Sequence, residues 1–360
     1  MTVPCPNPVN RGEIQTMSRA TAPRNSPAYG GLDALCIGET MVLLTAESGA
    51  SLVERPVLSM EVGGAESNVA CGLAQRGHRA AWLSRVGDDP FGRIITETLS
   101  GHGVDVSRTS TDPDRPTGLY FKDPAPEGTA VHYYRSGSAA SAMRPELAGS
   151  ESMDDARLLH LSGITPALSQ ECAGLIERLT IGRAPGGPTV VFDVNYRPAL
   201  WAAEPAARAL LPLARACDVV LVGLDEAETL WGVSTPDQVR ELFPGVPCLV
   251  VKDAANGATC FSADGGVFVP ALRVDVREAV GAGDAFAAGF LSGLLDGRPV
   301  RDRLRLGHIM AAVTLQSVRD LTTFPSSEEC ERMVAADETA WRELTVADPD
   351  SPVQHTSGRH

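Results

Sequence analysis

The chain has 360 residues, 43% of them apolar, enough for one large α/β core with an elaboration. A formal charge of −14 and a pI near 5.0 argue against nucleic-acid or anionic-membrane partners, which need clustered Lys and Arg. The eight cysteines form no Cys-x-x-Cys pair and the seven histidines no paired-ligand spacing, and no apolar run reaches a membrane span; this points to a reduced, cytoplasmic, zinc-free protein.

Residues 1–30 are rich in Pro, Asn, Ser, Thr and Arg without apolar periodicity, and read as a disordered extension; 345–360 read as a disordered tail. The stretch 31–344 between them is expected to be one domain. Short apolar runs alternate there with amphipathic segments of helical length, the pattern of βα units around a mostly parallel sheet. Leu35-Cys36-Ile37-Gly38 opens the series, followed by a helix over about 65–76, a strand near 81–84 and a helix over about 91–101. Further strands are expected at 158–161, 189–193, 219–222 and 249–252, each followed by a helix. Segments 41–62 and 117–135 break this rhythm with extended, alternating sequence, predicting a discontinuous β-lid over one sheet edge. An exposed lid also offers edges through which a symmetric dimer can form. Three helices are expected to end the domain, over 284–296, 300–317 and 326–344.

Several junctions of this series carry chemistry. Gly63-Gly64-Ala65-Glu66-Ser67-Asn68 puts a diglycine before a helix, so that backbone approaches a ligand closely and Asn68 can bond a polyol; a plain loop-to-helix junction explains it as well. Tyr133-Tyr134-Arg135 offers ring surface, hydroxyls and a bidentate cation, or else an ordinary exposed strand with a surface arginine. Asp193-Val194-Asn195-Tyr196-Arg197 emerges at a strand's carboxyl end, where parallel sheets bind ligands, and Arg197 is a second cation for an acidic group. Glu226 follows another buried run, as a water-mediated Mg²⁺ contact or as a carboxylate favoured by the helix dipole. Lys252 closes a strand before a turn ending in Gly257, whose amides can meet a nucleotide.

Gly281-Ala282-Gly283-Asp284 is the richest junction. Its glycines let amide N–H groups point outward at the positive end of a helix, a cradle for phosphate. Asp284 then stands where an anion is expected, which is unfavourable unless it accepts a proton. Taken alone, the same four residues also fit a loop with Asp as N-cap.

Read together and in order over residues 33–340, these segments resemble the ribokinase-like carbohydrate kinase family. Within it the chain is most similar to the 2-keto-3-deoxygluconate kinases, through Thr117-Gly118-Leu119-Tyr120, Tyr133-Tyr134-Arg135, the segment 162–169 and Asn195-Tyr196-Arg197-Pro198-Ala199-Leu200-Trp201. The resemblance implies a three-layer α/β sandwich with a small lid, and ATP- and Mg²⁺-dependent phosphorylation of a sugar's terminal hydroxyl. It makes Asp284 the base and the amides of Gly281, Ala282 and Gly283 the anion hole. Gly63, Gly64, Asn68, Tyr120, Tyr133, Arg135 and Arg197 would line the sugar-acid site, Asn195, Lys252, Gly257, Gly281 and Gly283 would meet the nucleotide, and Glu226 would serve the metal. The chain departs from the family pattern at Gly223, which bears on the Mg²⁺ network around Glu226, at Glu278-Ala279-Val280, so that a monovalent-cation site is not implied, and at Ala254 and Arg319-Asp320. Other substrates, fructose or 5-keto-2-deoxygluconate, and a non-catalytic sugar- or nucleotide-binding regulator are the competing readings.

Overall fold

The computed structural model describes residues 31–346 apart from 47–48, 124–129, 150–152, 154, 318 and 320. The extension expected over 1–30, and all of the expected tail after residue 346, lie outside the described residues. Eight strands form the central sheet: β1 (Leu32–Ile37), β4 (Ala80–Leu83), β9 (Ala156–Ser162), β10 (Thr189–Asp193), β11 (Val219–Gly223), β12 (Cys248–Asp253), β13 (Gly257–Ser262) and β14 (Gly265–Pro270). Their order is β14-β13-β12-β11-β10-β9-β1-β4, parallel from β12 to β4.

The apolar runs that predicted these strands are buried on both faces, as a parallel sheet between two helical layers requires. On one face Cys36, Trp82, Val191, Leu221 and Val250 pack beneath α1 (Ala65–Gln75), α7 (Ala282–Leu295) and α8 (Val300–Leu315). On the other, Ile37, Leu161, Phe192, Val222 and Val251 pack against α3 (Gln170–Thr180), α4 (Ala203–Arg215), α5 (Leu224–Trp231) and α6 (Pro236–Leu242). Helix α7 is buried nearly all round, as its run of Ala, Phe, Leu and Gly dictates. Gly289 lets it lie directly on the backbone of α8, since a Cβ there would strike the Leu306 carbonyl.

The two segments that break the βα rhythm form the small sheet. Strands β2 (Met41–Ala46) and β3 (Leu58–Gly63) pair antiparallel, β2 runs parallel to β7 (Leu119–Asp123), and β7 pairs antiparallel with β8 (Ala130–Tyr134). A second small ribbon, β5 (Arg85–Gly87) with β6 (Ser110–Asp112), flanks α2 (Pro90–Gly101) and was not anticipated.

Two expectations need correction. Strand β12 is followed not by a helix but by the antiparallel hairpin β13–β14, because Gly257 and Gly265 supply positive φ angles at its turns. The helix expected over 326–344 is two, α9 (Ser327–Val334) and α10 (Glu338–Glu343). The buried Arg305 of α8 donates to the Val334 carbonyl at 2.8 Å and to that of Ala336, which ends α9, and Asp337 caps α10.

The turn from β12 to β13 closes with the Asn256 N–H donating to the Asp253 carbonyl at 2.8 Å, and Ala254 holds φ 41° in it. An L-residue in that left-handed region costs about 1–2 kcal/mol, and restoring glycine loosens the unfolded chain by about 0.4–1 kcal/mol. Ala254→Gly should therefore stabilise the fold by about 0.5–1 kcal/mol, measured as a raised urea midpoint at constant slope; an unchanged or lowered midpoint refutes this.

Candidate active site

The site lies where the carboxyl ends of β10, β11 and β12 face the start of α7. Gly281, at φ 83°, is the N-cap of α7, and no side chain caps that terminus. The first N–H groups of any helix lack intrahelical partners. Of these residues Gly283 is exposed, so the uncapped end is open to an anion.

Asp284 sits in this first turn and is only 8% exposed. Its Oδ2 accepts from the Asn68 Nδ2 of α1 at 2.9 Å, joining the two junctions singled out in the sequence. Burial pushes its carboxyl up to about 6, against the pull of Arg197 and the Asn68 hydrogen bond, while Asp193 adds to the rise. Arg197 is exposed, and its guanidinium makes only a 3.5 Å contact with the Tyr196 carbonyl among the described residues. A carboxylate near its ionisation point and a cation without an ion-pair partner thus share one opening.

Lys252 ends in the same place. Its Nζ donates to both oxygens of the buried Asp193, at 3.1 and 3.0 Å, and a Cβ on Gly283 would come within 3.8 Å of that Nζ. Burial works to lower the ammonium's pKa, but Asp193 and Glu226 outweigh it and hold it above its ordinary value. Asn195, two residues on, takes φ 40°, a conformation that Asn tolerates better than most side chains.

Glu226 is engaged by the backbone. Its Oε1 accepts from the Tyr196 N–H at 2.8 Å and its Oε2 from the Gly223 N–H at 2.6 Å, which closes the start of α5. Gly223 makes room for this, since a Cβ would press on Asp225 and Glu226. Burial raises the Glu226 carboxyl, with Lys252 opposing. Among the described residues no group of three or more His, Cys, Asp or Glu side chains could hold a metal ion by itself.

The lid residues assemble around a carboxylate that sequence reasoning passed over. Glu39 lies just past β1, is 2% exposed, and binds Arg135 through Nε at 2.7 Å and through the terminal nitrogen at 2.5 Å. Ser138 donates to its other oxygen. Arg135 is therefore no free clamp but a paired one, its guanidinium 5.7 Å from the Tyr133 ring centroid. Tyr133 in turn stacks on Tyr120 at 5.7 Å. Gly64 lets α1 begin against this strand end, since a Cβ would lie 2.5 Å from the Glu39 carbonyl oxygen. Gly63 ends β3 opposite Met41.

Two more groups went unrecognised. Glu66, wholly buried, accepts from Ser162 at 2.6 Å and Thr165 at 3.1 Å, and burial pushes its carboxyl up to about 7. Asp193 was legible as a strand-end residue but not as the partner of Lys252. Gly257, expected at the nucleotide, is buried in the β12–β13 hairpin at φ 141°, where a Cβ would strike the Val269 carbonyl oxygen, so the fold itself also requires a glycine here.

The chain is similar to known sugar kinases. The chain is 36% identical over 314 residues to the 2-dehydro-3-deoxygluconokinase of Bacillus subtilis (strain 168), covering 86% of this chain and 97% of the relative. It is 36% identical over 319 residues to the 2-dehydro-3-deoxygluconokinase of Thermoproteus tenax, covering 86% and 96%. The crystal structure of a PfkB protein from Polaromonas sp. JS666 superposes with a TM-score of 0.75 at 34% identity, over 85% of this chain and all of that one. Residues 32–326 match the pfkB family of carbohydrate kinases, and the chain belongs to that family as a carbohydrate kinase.

Proposed function

We propose that the chain phosphorylates the terminal hydroxyl of 2-keto-3-deoxygluconate, with ATP as donor and Asp284 as base. The observation that carries this is the buried Asp284 carboxyl, pushed up to about 6, at an uncapped helix start beside the exposed Arg197. A base poised near its ionisation point takes a hydroxyl proton more readily than an ordinary aspartate. The uncapped start of α7, with Gly283 exposed, suits the charge that builds on a transferring phosphoryl group, and Lys252 stands beside it. Arg197, lacking an ion-pair partner among the described residues, suits a sugar carboxylate, with Arg135 oriented beneath the lid by Glu39.

In this reading Asn68 holds Asp284 so that its other oxygen can receive the proton. The hydroxyl oxygen bonds to the γ-phosphorus as the bond to the β-γ bridging oxygen breaks, and ADP leaves. Mg²⁺ would supply charge neutralisation during the transfer, and Glu226 is the residue that would hold it through water. The residues fit such an ion held mainly by phosphate and water: Glu226 retains a second lone pair on each oxygen, and Asp193, Glu226 and Asp284 outnumber Lys252 and Arg197. The seven cysteines among the described residues are free and buried, which suits a cytoplasmic enzyme. Met60 and Tyr134, 57% and 65% exposed on the outer lid, support pairing with a second copy through that sheet.

Asp284→Asn should lower kcat by about 10³-fold or more while ATP binding, followed by calorimetry, is retained; surviving turnover would show that another group is the base. In the parent, kcat/KM should fall tenfold per pH unit below about 6, because only the ionised Asp284 accepts a proton. The same raised pKa implies that the fold favours protonated Asp284. Its stability contribution is therefore lost as pH rises from the ordinary value of 3.8 through about 6. Asp284→Asn should thus be more stable than the parent at pH 8, by an amount on the order of 1–3 kcal/mol, and no more stable at pH 3.5.

Arg197→Ala should raise KM for 2-keto-3-deoxygluconate about 10–100-fold and leave KM for ATP within about twofold. Equal turnover of fructose or 5-keto-2-deoxygluconate in a coupled assay would overturn the substrate assignment while leaving the chemistry.

A further inference from the structure

One carboxylate in the loop that leads into α7 carries two loads. Glu278 Oε1 accepts the N–H groups of Ala279 at 2.9 Å and Val280 at 3.2 Å, the two residues directly before Gly281. Its Oε2 faces Lys122 Nζ at 3.3 Å. Lys122 belongs to strand β7 of the small sheet, two residues after Tyr120 and so on the same face, and is only 4% exposed. The N–H of Arg277 donates to the Leu315 carbonyl at 2.8 Å, which pins the loop to the end of α8.

We propose that Lys122 is a positioning residue: through Glu278 it ties the seating of the lid to the geometry of the anion hole at Gly281–Gly283. A carboxylate is a rigid plane, so a cation on one oxygen orients the other. When the lid is seated, Lys122 holds Oε2, and Oε1 then fixes the amides of Ala279 and Val280. When the lid lifts, the ammonium leaves, Glu278 swings toward water, and the loop before Gly281 loses its brace. The anion hole is thus fully ordered only over a closed sugar site, which discourages transfer of the phosphoryl group to water. Neither residue touches the reacting atoms. A surface ion pair would contribute little, but this lysine is buried, and removing its ammonium takes from Glu278 the cation that orients it.

This role in turnover rests on the kinase reading above, so the test has an arm that needs no turnover. In Lys122→Met, deuterium uptake of peptides spanning 276–286 should rise, with uptake in β10 and α4 unchanged. The kcat should fall about 10–100-fold, as expected for a misplaced anion hole, while KM for ATP stays within about twofold. Lys122→Arg should restore both properties, and Glu278→Gln added to Lys122→Met should cost little more. Unchanged uptake, a parent-like kcat in Lys122→Met, or an Arg variant as impaired as the Met variant would overturn the proposal. If the parent phosphorylates no sugar, the functional reading fails and the exchange arm alone decides whether the brace exists.

Discussion

Burying a carboxylate at the positive end of an apolar helix is the constraint around which this molecule is arranged. Helix α7 is buried on nearly every side, and Asp284 is the one ionisable group among its buried residues. Burial alone would drive the carboxyl to its neutral form. The Asn68 amide, Arg197 and Lys252 restore enough of the lost hydration to hold it near 6 rather than far above. Each of the three arrives from a different element, α1, the end of β10 and the end of β12. The parallel sheet must therefore be in register before the site exists. Close packing beneath the site follows from the same need, since Gly289 lets α8 press on α7 and exclude water from below.

Legibility differed between kinds of feature. Strands of four or more apolar residues, such as Val219 to Val222, announce themselves because both faces of a parallel strand are buried, and the sequence shows that directly. The lid segments were visible as breaks in the βα rhythm. The hairpin β13–β14 was not, because an alternating run after Lys252 reads as the start of another βα unit unless the turns are known. The break between α9 and α10 was also hidden. Residues 335–337, Ala-Ala-Asp, contain neither Gly nor Pro, and what ends α9 is Arg305, 29 residues upstream of Val334, taking the terminal carbonyls.

At the site, glycines and strand-end polar residues were readable as residue types, since backbone approach and the sheet's carboxyl edge are local properties. Their partners were not. Nothing near Arg135 in the sequence names Glu39 as its counter-ion, and their separation of 96 positions is bridged only by the fold. Gly257 adds that a glycine suggestive of ligand contact can also be demanded by the fold, here by its φ of 141° and by the Val269 carbonyl oxygen. A motif states what a position can do; tertiary contact decides which of those it does.

The two arginines, Arg135 of the lid and Arg197 after β10, illustrate how that decision bears on specificity. Arg135 is neutralised by Glu39, so a substrate carboxylate brought to it would meet a net charge near zero and gain mostly directional hydrogen bonds. Arg197 is exposed and holds only a long carbonyl contact, so it keeps its full charge for an incoming anion. Under the proposed reading, discrimination between an acidic and a neutral sugar falls to Arg197, whereas Arg135, fixed by Glu39 and Ser138 and set against Tyr133, is suited to reading hydroxyl positions. In that reading two free arginines would also attract other anions, the phosphates of ATP among them. Pairing one of them removes that competition while keeping its planar donors in place.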